Sequence, residues 1–116
     1  TLWEELYTED ADIVIVSYGI TSRICKSAIE MARAEGIKVG LIRPITVWPY
    51  PKAAIAKAAE TAKQFLVVEL NMGQMVDDVK VACECRRPVS FFGRTGGVLP
   101  TADDILAEIK KLNGGL

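Results

Sequence analysis

The chain has no histidine and only three cysteines, Cys25, Cys83 and Cys85. Without an imidazole it can build neither a Ser-His-Asp nor a Cys-His nucleophile, nor an imidazole-rich zinc site, and three thiols fall one short of a four-thiolate iron–sulfur cluster. No apolar run approaches the roughly 20 residues of a membrane-spanning helix, and Thr1-Leu2-Trp3-Glu4-Glu5 has nothing of a signal peptide. Dense Lys/Arg tracts are absent and the formal net charge is −1, so no field draws the chain to nucleic acid or to an anionic membrane. Neither is expected as a partner, and the expected location is cytoplasmic.

What is present is ordinary globular material, half of it hydrophobic (50%) and a quarter charged (25%). A chain of 116 residues buries about two-thirds of its unfolded surface, so residues 1–116 are expected to form a single domain with its own core. It begins with Thr rather than Met, and a fragment of a longer polypeptide is the expectation.

Leu2, Trp3, Leu6 and Tyr7 recur at helical spacing, which predicts a short helix that Thr8-Glu9-Asp10 breaks. Ile13-Val14-Ile15-Val16 is a continuous β-branched run and reads as a first strand buried on both faces. Gly19 allows a tight turn, Thr21 or Ser22 can cap, and Ile24, Ala28, Met31 and Ala32 mark a helix ending before Gly36. Ile37-Lys38-Val39-Gly40-Leu41-Ile42 is the second strand. Three prolines in Arg43-Pro44-Ile45-Thr46-Val47-Trp48-Pro49-Tyr50-Pro51 forbid a helix or a central strand, so this is an extended loop. Its Trp48 and Tyr50 either form an apolar interface or fold back over the core.

An alanine-rich helix is predicted over residues 52–62, followed by Phe65-Leu66-Val67-Val68 as the third strand and a helix from about Met75. Val89-Ser90-Phe91-Phe92 is the fourth strand. Thr101-Ala102-Asp103-Asp104 then has the pattern of a capping box, ahead of a helix with Ile105, Leu106, Ile109 and Leu112 on one face. Four β/α repeats make an α/β fold of three layers, α/β/α, around a mainly parallel four-stranded sheet. Right-handed crossovers give the order 2-1-3-4.

That order puts a switch point between the first and third strands, where ligands and partners dock. Tyr18, Gly19 and Thr21 would flank it on one side, and Glu69, Asn71, Gly73 and Gln74 on the other. Glu69 and Asn71 are alternatively only braces of their own turn. Gly93, Arg94, Thr95, Gly96 and Gly97 combine glycines with a cation between strand and helix, either as an anion site or as a conformational turn. Cys83 and Cys85, two apart on a helix, point about 200° away from each other and cannot share a disulfide or a metal. Cys25 and Cys83 read as buried thiols, and Asp77 and Asp78 as N-terminal helix charge. No catalytic residue and no metal site is expected within the chain.

The blocks Asp-Ile-Val-Ile-Val-Ser-Tyr-Gly, Leu-Ile-Arg-Pro-Ile-Thr-Val-Trp-Pro-Tyr-Pro, Val-Val-Glu-Leu-Asn-Met-Gly-Gln and Gly-Arg-Thr-Gly-Gly-Val-Leu-Pro-Thr resemble the C-terminal domain of the α subunit of 2-oxoacid:ferredoxin oxidoreductases. More distantly the chain is similar to the C-terminal domain of transketolase, whose extra antiparallel strand would lie upstream of or near Thr1 and is open to being absent here. The resemblance implies part of an enzyme that oxidatively decarboxylates a 2-oxoacid to an acyl-coenzyme A and passes electrons to ferredoxin. It implies thiamine diphosphate, magnesium, iron–sulfur clusters and coenzyme A for the whole enzyme, none of them held by this chain, and other domains and subunits as partners. Alone, the chain would be inert. A free-standing small-ligand or nucleotide-binding module and a purely structural interaction domain stay open beside this reading.

Overall fold

The computed structural model of the chain describes residues 3–17, 19–44, 52–69, 79–81, 87–93 and 100–114. The run Ile13–Val16 forms strand β2 at the middle of the sheet, and all four side chains are fully buried. Each such side chain contributes about 1.5–3 kcal/mol, so this short strand anchors both faces. Ile13 and Ile15 pack against α1 (Ile20–Ala34) and α3 (Ala102–Gly114); Val14 and Val16 pack against α2 (Lys52–Ala58) and the helical residues 79–81.

Strands β3 (Val39–Pro44) and β4 (Gln64–Glu69) flank β2 in parallel, with Val16 opposite Ile42 on one side and Val67 on the other. β5 (Val89–Gly93) continues the sheet beyond β4, again in parallel. The expected order 2-1-3-4 is therefore present as β3-β2-β4-β5 within a three-layer α/β/α fold. A fifth strand is added to it.

That strand, β1 (Trp3–Leu6), overturns the helix expected around Leu2, Trp3, Leu6 and Tyr7. It runs antiparallel to β3, with Trp3 beside Pro44 and Leu6 beside Leu41, so Arg43 and Pro44, expected in the loop, belong instead to a strand that spans 39–44 rather than 37–42. Helix nucleation is unfavourable in so short a segment, whereas pairing satisfies the outer backbone groups of β3. Its side chains alternate between exposed and half-buried, and Leu6 joins the cluster under α1. This is the antiparallel strand that the resemblance set upstream of or near Thr1, and it is present.

Tyr7 leaves β1 with φ 55, and its carbonyl passes over Gly40, where a Cβ would lie 2.8 Å from that oxygen. Arg33 of α1 fastens the turn. Its Nε donates to the Val39 carbonyl (2.9 Å), Nη2 donates to Asp10 (2.8 Å) and to the Tyr7 carbonyl (3.1 Å), and the guanidinium lies over the Tyr7 ring.

Two helix details differ from expectation. The buried stripe of α1 runs through Cys25, Ala28, Ile29 and Ala32, leaving Met31 exposed. α2 stops at Ala58, short of residue 62, although Ala62 still donates to the Ala58 carbonyl. At α3 the capping box forms as read: the Thr101 N–H donates to Asp104 (3.0 Å) and the Asp104 N–H to the Thr101 hydroxyl (3.1 Å). Among the described residues no helix is long and apolar enough to cross a membrane.

Candidate functional site: the C-terminal edge of the central strands

β2 and β4 are neighbours and run the same way, so their C-terminal ends open on one edge. Past Val16, the Ser17 N–H still donates to the Ile42 carbonyl (3.2 Å). The chain then turns at Gly19, whose φ of 68 and ψ of −148 suit glycine and little else. Gly19 is the N-cap of α1 and has no side chain to cap with. Neither Thr21 nor Ser22 takes that role, contrary to expectation: the Ser22 hydroxyl donates back to the Gly19 carbonyl at 2.7 Å, because both residues already lie inside the first turn of the helix.

Thr21 instead faces inward, and its hydroxyl lies 2.8 Å from that of Ser17, both residues buried. One turn further along α1, burial pushes the Cys25 thiol up to about 12, an effect that the Ser17 hydroxyl partly offsets. Ser17, Thr21 and Cys25 form a polar seam between β2 and α1 that sequence reading did not assemble. The signal was available: Ser17 continues the face of Ile13 and Ile15, and Thr21 and Cys25 are four apart on the inward side of the helix.

Across the edge stands Glu69, the last residue of β4, only 4% exposed. It follows Phe65 and Val67 on the α2 side of the sheet, whereas Ser17 and Thr21 lie on the α1 side. A buried carboxylate at the end of an apolar strand is expensive unless satisfied, and Glu69 is not without a partner. Its neighbour in β5 is Gly93. Gly19, Thr21, Glu69 and Gly93 thus share one edge of the sheet. Tyr18, Asn71, Gly73, Gln74, Arg94, Thr95, Gly96 and Gly97 lie outside the described residues, as do Trp48, Tyr50, Asp77, Asp78, Cys83 and Cys85.

The donor set tests what this edge can hold. It supplies one buried carboxylate and two hydroxyls that already bond each other, and among the described residues no group of three or more His, Cys, Asp or Glu is placed to bind a metal. Those residues do not fit a magnesium–diphosphate group or a cluster. A separate cavity of about 250 Å³, lined by Glu5, Glu9, Lys57 and Glu60 among others, lies between β1 and the end of α2, away from this edge.

Residues 11–105 match the family model described as pyruvate:ferredoxin oxidoreductase core domain II. The chain is 49% identical over 112 residues to the ketoisovalerate oxidoreductase subunit VorB of Methanothermobacter marburgensis, covering 97% of this chain and 32% of that subunit. It is 41% identical over 103 residues to the 2-oxoglutarate synthase subunit KorA of the same organism, covering 89% of this chain and 28% of the relative. The chain thus spans about a third of the length of these relatives. Among solved structures, the 2-oxoglutarate:ferredoxin oxidoreductase from Magnetococcus marinus with 2-oxoglutarate, coenzyme A and succinyl-CoA bound superposes with a TM-score of 0.78 at 24% identity, over 96% of this chain and 19% of that one. A split-gene transketolase, an inactive β4 tetramer, gives a TM-score of 0.75 at 21% identity, over 93% of this chain and 40% of that one. At these identities the two structures speak for the fold.

Proposed function

The chain belongs to the pyruvate:ferredoxin oxidoreductase core domain II family, and from that membership we propose that it is a non-catalytic domain of a 2-oxoacid:ferredoxin oxidoreductase subunit of the VorB and KorA kind. The complete enzyme would convert a 2-oxoacid and coenzyme A to an acyl-CoA and carbon dioxide, passing two electrons to ferredoxin. Thiamine diphosphate, magnesium and the iron–sulfur clusters would be bound by other domains and subunits, and ferredoxin would dock on the assembled enzyme. This domain would serve assembly, through the segment beyond β3 that carries Trp48 and Tyr50, and would lend the edge around Gly19, Thr21 and Glu69 as one wall of a site. Close relatives are named for ketoisovalerate and for 2-oxoglutarate, which supports placing the choice of oxoacid outside this domain.

The observation that carries the reading is the 49% identity extending over nearly the whole chain. The test is an assay of ferredoxin reduction with pyruvate, ketoisovalerate and 2-oxoglutarate, in the presence of thiamine diphosphate, magnesium and coenzyme A. The isolated chain should be inactive and should bind neither coenzyme A nor a nucleotide saturably in calorimetry, whereas the full subunit with its partners should turn over. Turnover by the isolated chain, or saturable binding to it, would overturn the proposal.

A further inference from the structure

The arginines of the sheet and its helices are not used alike. Arg33 and Arg87 each place Nε on a backbone carbonyl, that of Val39 (2.9 Å) and that of Ala59 (3.0 Å), and Arg33 directs its remaining groups to Asp10 and Tyr7. Arg43, at the end of β3, does not follow them. Val39 and Leu41 pack under α1, and Arg43 continues their face of the strand. One position past the registered pair of Val16 and Ile42 it lies beside Ser17, on the same edge as Gly19, Thr21 and Glu69. Its Nη1 is 3.8 Å from Glu4, a charge contact rather than a hydrogen bond, and Lys26 already holds that carboxylate at 2.7 Å. The Arg43 Nε is shut off from water and has no acceptor among the described residues.

A buried donor without an acceptor is costly, the more so on a charged group. We infer that Arg43 is a docking residue, and that its Nε takes a carboxylate contributed by the same subunit from outside this chain. Nε and Nη2 form the side of a guanidinium that binds a carboxylate through two parallel bonds, and Glu4 stands at Nη1 instead. The source follows from size and place. The chain accounts for 32% of the VorB subunit and 28% of the KorA subunit that it matches, so most of a subunit of that kind lies beyond it. The C-terminal edge of a parallel sheet is also where partners dock. A donor fixed at a strand end, with no water to give up at Nε, suits a fixed protein carboxylate better than a mobile anion. The inference rests on the reading of this chain as one domain of a longer oxidoreductase subunit.

Thermal melting of the 116-residue chain and of the full subunit, each with and without substitution at Arg43, tests this. Arg43→Met keeps an apolar stem and removes every donor. In the isolated chain its midpoint should equal or exceed that of the wild type, since only an unsatisfied donor and a weak ion pair are lost. In the full subunit the same change should lower the midpoint by several degrees, because the opposing carboxylate is left without its partner. Arg43→Lys keeps the charge but not the fork, and should lower the midpoint of the full subunit nearly as far. Calorimetric titration of the isolated chain with sodium phosphate or with pyruvate should show no saturable binding. A lowered midpoint for isolated Arg43→Met would place the acceptor within the chain and overturn the inference. So would a full subunit indifferent to Arg43→Met or restored by lysine, or saturable binding of either anion that Arg43→Met abolishes. Ferredoxin reduction by the isolated chain would instead defeat the reading of a non-catalytic domain, and the Arg43 comparisons would stand apart from that failure.

Discussion

Gly40 shows how one position can settle where a neighbouring element goes. Its missing side chain lets the Tyr7 carbonyl approach β3, and any Cβ would sit 2.8 Å from Tyr7 O and 3.0 Å from Leu6 O, both backbone atoms. The turn cannot yield easily, because Arg33 holds both the Tyr7 carbonyl and its ring. Gly40→Ala should therefore destabilise the chain by about 1–3 kcal/mol, as overpacking of a tight site does, read as a lower urea midpoint; an unchanged midpoint would show that the turn moves freely. Sequence reading passed over Gly40 as part of a strand, since nothing local distinguishes a glycine that another segment crosses. Glu69 was legible because a carboxylate ending an apolar run is conspicuous. Ser17 was not, because a serine after a buried strand looks like the start of a turn.

At the scale of elements, β2 and β4 could be read from sequence because strands covered on both faces demand near-continuous apolar runs. β1 could not. Its four residues have one half-buried face and Leu2, Trp3, Leu6 and Tyr7 fit a helical period, so only the open rim of β3 decides their conformation. Beyond its backbone pairing with β3, β1 and the turn after it are tied by charged side chains. The hydrogen bond from Lys26 keeps the Glu4 carboxyl below its usual range, and that from Arg33 does the same for Asp10. Burial raises Glu5, but donation from the Trp3 indole and the Thr8 hydroxyl outweighs it and the net shift is downward. A carboxylate whose folded pKa lies below its unfolded value adds stability above the unfolded value and loses it as pH falls through the folded one. With ordinary values of 4.5 for Glu4 and Glu5 and 3.8 for Asp10, the loosening should begin below those values. Hydrogen-exchange protection of β1 should accordingly drop between about pH 5 and pH 3 while that of β2 persists. Equal protection of β1 at both ends would mean that its backbone pairing suffices without the charges.

For the whole molecule, alternation of strand and helix together with the handedness of crossovers was enough to predict three layers and the order of four strands. The candidate edge was less legible, since its character depends on which faces of two adjacent strands carry Ser17 and Glu69, a matter of register. The strand order has a further consequence, in time rather than space. Of the two strands beside β2, β3 closes a smaller loop than β4, so the β2-α1-β3 unit is expected to form before β4 docks on β2. β1 adjoins β2 in sequence yet pairs with β3, and it has no partner until that unit exists. We therefore expect the segment nearest the start of the described chain to dock only after β3 has packed on β2. In stopped-flow kinetics Leu6→Ala should speed unfolding and leave the folding rate unchanged, while Ile15→Val should slow folding. A Leu6→Ala variant that folds more slowly in proportion to its lost stability would place β1 in the nucleus instead.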